Sequence, residues 1–227
     1  MATEPRTPSS KPLGPAARVL YSIIRSAILG AAKLLGRVDV EGREHVPDGP
    51  FVLAPVHRSN IDFALASLVT TRRMRYMAKD SLWKSRALGG FVSFLGCFPV
   101  SRGAADREAL RTCIDVIDAG EPLVMFPEGT RRSGPVVEDL FDGPAYVASK
   151  TQVPIVPVGI GGSEAMMPKG SKLIKPSRLA IVIGEPLQPP PPGEGGRVSR
   201  KAVKQLTDEL RADVQKLFDD AQARVAR

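Results

Sequence analysis

The sequence predicts an α/β domain with a mixed central sheet flanked by helices. Strand-length apolar or alternating runs recur along the chain, and most are followed by a segment of helical periodicity. A length of 227 residues with 43% apolar content suits one core of ordinary size. No internal repeat is present. No GxGxxG follows a strand, and neither GxxxxGK[ST] nor GxSxG occurs. Dinucleotide, P-loop and nucleophile-elbow sites therefore lack support.

Taken in order, residues 1–15, MATEPRTPSSKPLGP, are polar and proline-rich and predict a disordered tail rather than a signal peptide. Residues 16–37 predict an amphipathic helix. Val19, Leu20, Ile23, Ile24, Ala27, Ile28, Ala31, Leu34 and Leu35 share one broad face, and Arg18, Ser22, Arg25 and Lys33 the other. The basic residues interrupt every long apolar run, so the segment does not predict a spanning helix. Two readings stand for it: a helix lying in a membrane interface, or one packed on the core with a solvated basic face. Residues 38–227 form the domain proper. RVDVEG and PFVLAPV predict strands, IDFALASLVT a helix, and MRYMA a strand. SLWKSRALGGFVSFLGCF predicts helix broken at Gly89 and Gly90, and FPVS a short strand. DREALRTCIDVIDAG predicts an amphipathic helix closed by Gly120, and PLVMF a buried strand. PAYVASKT predicts a helix with Pro144 in its first turn. VPIVPVGIGG predicts an edge or irregular strand because of its two prolines, and RLAIVIGEPL a last strand. A proline-rich linker leads to a charged C-terminal helix, with Ala202, Leu206, Leu210, Val214 and Leu217 as its apolar stripe.

The net charge of +8 implies an anionic partner: a phospholipid surface, nucleic acid, an acidic carrier protein or a phosphorylated substrate. Only Cys97 and Cys113 occur, so there is no disulfide framework and no zinc pattern. A reducing compartment fits that usage.

Three loops follow three apolar strands and would gather at the C-terminal strand ends, where open α/β sheets bind ligands. They carry His57 and Asp62, then Arg102, then Glu128, Gly129, Thr130, Arg131 and Arg132. His57 is one of two histidines in the chain. Either it ends a strand, with Asn60 capping the next helix and Asp62 in its first turn, or Asp62 folds back to hold it as a general base. The arginines suit phosphate oxygens, and Gly129 would allow close approach of the backbone. No serine or cysteine has an evident base beside it in sequence. The simplest chemistry is direct: His57 takes a proton from a substrate hydroxyl, which attacks an electrophile brought by a second substrate.

HRSNID resembles the HX4D motif of the glycerolipid acyltransferases. GCFPVSRG, FPEGTRRSG and VPIVPVGI resemble their second, third and fourth motifs, in family order over residues 38–190. The resemblance implies the glycerol-3-phosphate acyltransferase-like fold with an N-terminal membrane-docking helix. It implies transfer of a fatty acyl group from acyl-CoA or acyl carrier protein to a hydroxyl of 1-acyl-glycerol-3-phosphate, giving phosphatidic acid for phospholipid synthesis. By that likeness His57 is the base, Asp62 orients it, and Arg102, Glu128, Gly129, Thr130 and Arg131 bind the phosphorylated acceptor. No metal, cofactor or acyl-enzyme is implied. The expected location is the cytoplasmic face of the cell membrane, peripheral or monotopic, with an anionic surface as partner. Val56 before the motif histidine and Asp142 in LFDGPA depart from the family pattern, which leaves glycerol-3-phosphate or another lipid as alternative acceptors. The rival of another class is a non-catalytic basic module for membrane or nucleic acid. Its nucleic-acid form lacks spaced aromatics and any recognised motif, so no nucleic-acid partner is expected.

Overall fold

The structure, a computed structural model, describes residues 14–100, 107–171, 173–193 and 197–227. Its strands are β1 (Val38–Glu41), β2 (Val52–Pro55), β3 (Arg75–Lys79), β4 (Cys97–Val100), β5 (Leu123–Val124), β6 (Ile155–Gly161) and β7 (Leu179–Ile183). Its helices are α1 (Pro15–Leu35), α2 (Asp62–Ala66), α3 (Arg86–Phe94), α4 (Arg107–Asp118), α5 (Gly143–Thr151), α6 (Ser163–Met166) and α7 (Arg200–Val225). The strands form one sheet in the order β1-β7-β6-β2-β5-β3-β4. Only β6 and β7 pair antiparallel, so β2, β3, β4, β5 and β6 all point one way. The loops after β2 and β5 leave neighbouring strands at the same end of the sheet. The loop after β4 begins at residue 101, and residues 101–106, including Arg102, lie outside the described residues.

The core is the sheet's apolar side chains sandwiched by helices. Phe51, Leu53, Leu123, Ile155 and Ile181 are fully buried. Strands buried on both faces read as continuous apolar runs, and every residue of β2, β6 and β7 is buried. β6 corrects the edge alternative, because it lies inside the sheet between β2 and β7. Its prolines sit at the margin of the pairing with β7. Pro154 precedes the strand, and Pro157 lies one residue outside the β6–β7 register, where its carbonyl accepts from Gly184 N–H. The irregular alternative therefore describes this strand.

α7 lies directly against β6 and β7. A Cβ on Gly159 would run into the carbonyl of Leu217, and one on Gly161 into that of Ala221. Glycine is needed at both positions because a helix backbone occupies the space. α7 buries Val203, Leu206, Leu210, Val214, Phe218 and Ala221, so its stripe is rotated slightly from the expected one: Ala202 and Leu217 are only half-buried. Its last turn reaches the edge strand β1, where Arg224 pairs with Glu41 and lies 3.4 Å from Asp39.

α3 also corrects the sequence reading. Gly89 and Gly90 lie inside the helix, and the break falls at Ser85, whose side chain accepts from Leu88 N–H as an N-cap. A short 3₁₀ turn, Asp80–Lys84, precedes it, and Gly89 packs against Trp83. α2 and β5 are shorter than the runs that predict them.

α1 meets the domain along one border between its apolar and basic faces. Tyr21 is its buried residue and packs edge-on against Phe94, and Arg25 turns inward to donate to the Ser67 carbonyl at 3.1 Å. Ile24, Ile28 and Leu35 line the half-buried side. Val19, Leu20, Ile23 and Leu34 lie on the opposite side, exposed. The apolar arc is wider than the contact it makes with the domain. No helix among the described residues is long and apolar enough to cross a membrane.

Replacing Gly159 by Ala forces a methyl into the α7 backbone, so Gly159→Ala is expected to lower unfolding free energy by about 1–3 kcal/mol. Gly30→Ala on α1, which meets nothing within 4 Å, is expected to leave stability unchanged or raised. Urea unfolding of the two variants beside the parent checks the pair.

Candidate active site

The loop after β2 is drawn into a tight knot by one carboxylate. Asp62 Oδ2 accepts from the Arg58 N–H and the Ser59 N–H, both at 2.6 Å, and lies 3.0 Å from His57 Nδ1. Asp62 is wholly buried. Asn60 does not cap α2: it is exposed, and the cap position is Ile61 with no side-chain bond. The fold-back reading of Asp62 therefore describes the loop. Its contact with Nδ1 fixes the ring and leaves Nε2 without a partner among the described residues. Phe126, two residues past β5, stacks on the imidazole at a centroid distance of 4.0 Å and 26°. The histidine side chain keeps 19% of its surface accessible. The result is a clamped imidazole presenting one nitrogen outward.

Glu128 has a different task from the expected one. It is fully buried, and Arg58 Nη1 lies 2.8 Å from Oε1 and 2.7 Å from Oε2. Its Oε2 also accepts the His57 backbone N–H at 3.0 Å. A carboxylate so enclosed clamps an arginine rather than facing a phosphate, which it would repel. Arg58 is itself fully buried. It donates to the carbonyls of Gly134 at 3.2 Å and Val136 at 3.0 Å, and its guanidinium lies 4.9 Å from the Phe218 ring centre on α7. Arg132 N–H donates to the His57 carbonyl at 2.9 Å. Both backbone polar groups of His57 are thus held by the loop after β5.

Gly129 also departs from expectation. Its φ is +65°, which favours glycine, but the space a Cβ would fill holds the Phe141 ring rather than lying open for a ligand. Thr130 is exposed. Arg131 is half-exposed and has no hydrogen-bond or ion-pair partner among the described residues, whereas Arg132 pairs with Glu138 at 3.0 Å. Of the arginines after β5, Arg131 is the one left available to an incoming anion. Ser59 donates its hydroxyl to the Met167 carbonyl at 2.7 Å.

The sequence reading brings His57, Asp62, Glu128, Thr130 and Arg131 to one end of the sheet, and the structure puts them there. It misses Arg58, Phe126 and Phe141. A loop arginine carries no signal of burial, although Glu128, the glutamate that closes on it, is already among the candidates. Neither cysteine is placed for chemistry: burial pushes the Cys97 thiol up to about 11 and the Cys113 thiol up to about 12. Among the described residues no His, Cys, Asp and Glu cluster could hold a metal ion.

Removing Arg58 would strand Glu128 as an unpaired buried charge. Arg58→Met is expected to cost about 3–5 kcal/mol of stability, and Arg58→Met/Glu128→Gln to recover part of it, because the amide oxygen can still accept from His57 N–H. Denaturant midpoints of the single and double variants check this. Burial disfavours the thiolate, so both cysteines stay protonated well above neutral pH. Alkylating reagents near neutral pH are expected to label the folded protein slowly and leave its activity intact, and labelling should become fast on unfolding.

The acyltransferase family model matches residues 37–161, more than half of the chain. A 1-acyl-sn-glycerol-3-phosphate acyltransferase of Bacillus subtilis is 31% identical over 170 residues, covering 74% of this chain and 82% of the relative. A chloroplastic 1-acyl-sn-glycerol-3-phosphate acyltransferase of Brassica napus is 27% identical over 157 residues, 66% of this chain, which spans 45% of that relative's length. The solved structure of the 1-acyl-sn-glycerophosphate acyltransferase PlsC from Thermotoga maritima superposes with a TM-score of 0.72 at 27% identity, covering 89% of this chain and 81% of that one. The histidine-bearing loop, the loop after β5 and β6 all lie within the matched region, and the chain belongs to the acyltransferase family, as an O-acyltransferase.

Proposed function

We propose that the protein acylates the free hydroxyl of 1-acyl-glycerol-3-phosphate, giving phosphatidic acid. The donor is a fatty acyl thioester of coenzyme A or of acyl carrier protein. The observation that carries this reading is the clamped imidazole: Nδ1 is held by Asp62, while the ring stays partly accessible and Nε2 has no partner among the described residues. Nε2 takes the proton of the acceptor hydroxyl as its oxygen attacks the thioester carbonyl. A carbon–oxygen bond forms, the carbon–sulfur bond breaks, and the histidine returns the proton to the leaving thiolate. Asp62 holds the Nδ1–H tautomer and stabilises the imidazolium between the two transfers. Arg131 meets the acceptor phosphate, and the names of the relatives support that acceptor. Arg102, which the family resemblance also assigns to the phosphate, remains part of this proposal. Because acceptor and product are lipids, the active site works at a membrane. The exposed Val19, Leu20, Ile23 and Leu34 of α1, with Arg18 and Lys33 beside them, suit peripheral attachment to the anionic cytoplasmic face of the cell membrane.

His57→Ala is expected to lower kcat by about 10²–10⁴ with the fold intact, and Asp62→Asn by less. Arg131→Ala is expected to raise the acceptor KM roughly 10- to 150-fold and leave the donor KM unmoved. Thiol release from an acyl thioester in the presence of detergent-dispersed lysophosphatidate, with products identified by mass spectrometry, measures all three. Near-normal transfer by folded His57→Ala would sink the mechanism. An equal effect of Arg131→Ala on both substrates would sink the phosphate assignment.

A further inference from the structure

The segment between α6 and β7 is absorbed neither by the sheet nor by the histidine site. It exposes two large apolar side chains, Leu173 at 73% and Ile174 at 48%. Lys169, Lys175 and Arg178 are exposed around them. No acidic residue occurs between Glu164 and Glu185, so nothing in the segment neutralises this charge. The described residues of the segment are tied back to the domain. Ser171 N–H donates to the Pro168 carbonyl and Lys175 N–H to the Met166 carbonyl, each at 2.9 Å, which closes the turn that carries Leu173 and Ile174.

Both ends of the loop are anchored to elements already described. At its start, the Met167 carbonyl accepts from the Ser59 hydroxyl, inside the knot that holds His57. At its end, Ser177 N–H donates to the Leu35 carbonyl and Leu179 N–H to that of Arg37, at the C-terminal end of α1. Leu34, 87% exposed, stands at that same end of the helix. The loop thus bridges the catalytic loop and the helix whose outward side is apolar.

We propose that residues 167–171 and 173–178 of this segment form a second lipid-docking element. Leu173 and Ile174 enter the boundary between headgroups and acyl chains of an anionic bilayer, and Lys169, Lys175 and Arg178 meet its phosphates. The proposal rests on the lipid-acyltransferase reading given above. Charge complementarity selects an anionic surface, and the apolar tip selects one that can be entered. α1, to whose C-terminal end the loop is bonded, carries its own exposed apolar side chains along a helix of 21 residues, about 31 Å long. That extent suits a bilayer better than a small acidic carrier protein. Two docking elements, joined at the C-terminal end of α1 and tied to the His57 loop through Ser59, would fix the orientation of that loop toward the lipid rather than its proximity alone.

The test uses the full chain and its Leu173→Ser/Ile174→Ser and Lys169→Glu/Lys175→Glu variants. All four positions are exposed, so the fold is expected to survive, and circular dichroism confirms it. The probes are vesicles of equimolar phosphatidylglycerol and phosphatidylcholine, and vesicles of phosphatidylcholine alone. The apolar variant is expected to lower partitioning into the mixed vesicles about tenfold or more. The charge variant is expected to abolish the preference for mixed over neutral vesicles. Both should transfer acyl groups normally to detergent-dispersed lysophosphatidate while losing rate on vesicle-borne acceptor. Vesicle binding equal to the parent's in both variants would overturn the proposal. So would unchanged vesicle binding with a raised KM for acyl carrier protein, which would make the surface a carrier-protein dock. If the parent binds vesicles through the loop yet acylates no lysophosphatidate in detergent, the acceptor reading fails and the docking element stands.

Discussion

The buried pair of Arg58 and Glu128 is the contact on which the site depends. Each charge alone would be costly in the interior, and together they are satisfied only because the surrounding carbonyls take up the remaining donors of the guanidinium. The pair joins three parts of the chain that are far apart in sequence: the loop after β2, the loop after β5, and α7 through Phe218. Glu128 also reaches the backbone of His57, so the ion pair and the proposed base share one carboxylate. An interaction that looks structural thereby sets the position of the imidazole. The loop after β5 contributes an acid that faces inward and an Arg131 that stays half-exposed, a division of labour within four residues.

The sheet supplies the frame for this arrangement. β2 and β5 are adjacent and parallel, so their following loops emerge side by side. β6, on the other flank of β2, is held from behind by α7, whose backbone lies on two glycines. Because α7 also carries Phe218 to Arg58, the seating of that helix and the placement of the guanidinium are parts of one packing problem.

Much of this was legible in the sequence, for physical reasons that can be named. Buried strands announce themselves as apolar runs, and the loops after 51–56 and 122–126 carry the charged residues that such runs cannot hold. His57 and Asp62 are close in sequence and could be paired from spacing. Arg58 and Glu128 are 70 residues apart, and their pairing is a property of the folded chain. The glycines of GIGG look like flexibility in one dimension and are close contact in three. Pro157 signals an interrupted ladder but not which strand lies beyond it, so an interior strand carried the mark of an edge. The width of the apolar arc on α1 was readable. Its division between domain and exterior was not, because Tyr21 and Arg25 choose their side only once Phe94 and Ser67 are in place.

The two ends of the sheet bear on how the protein behaves at high concentration. β1 closes one side, and its outward residues Asp39 and Glu41 are engaged by Arg224 from the last turn of α7. β4 closes the other side with only four residues, and Pro99 among them has no N–H to offer. Charged side chains, short length and proline are the devices by which a sheet avoids recruiting a strand from a neighbouring molecule. If the protein gathers on a membrane as proposed, these devices matter more, because crowding in two dimensions would otherwise favour edge-to-edge polymerisation.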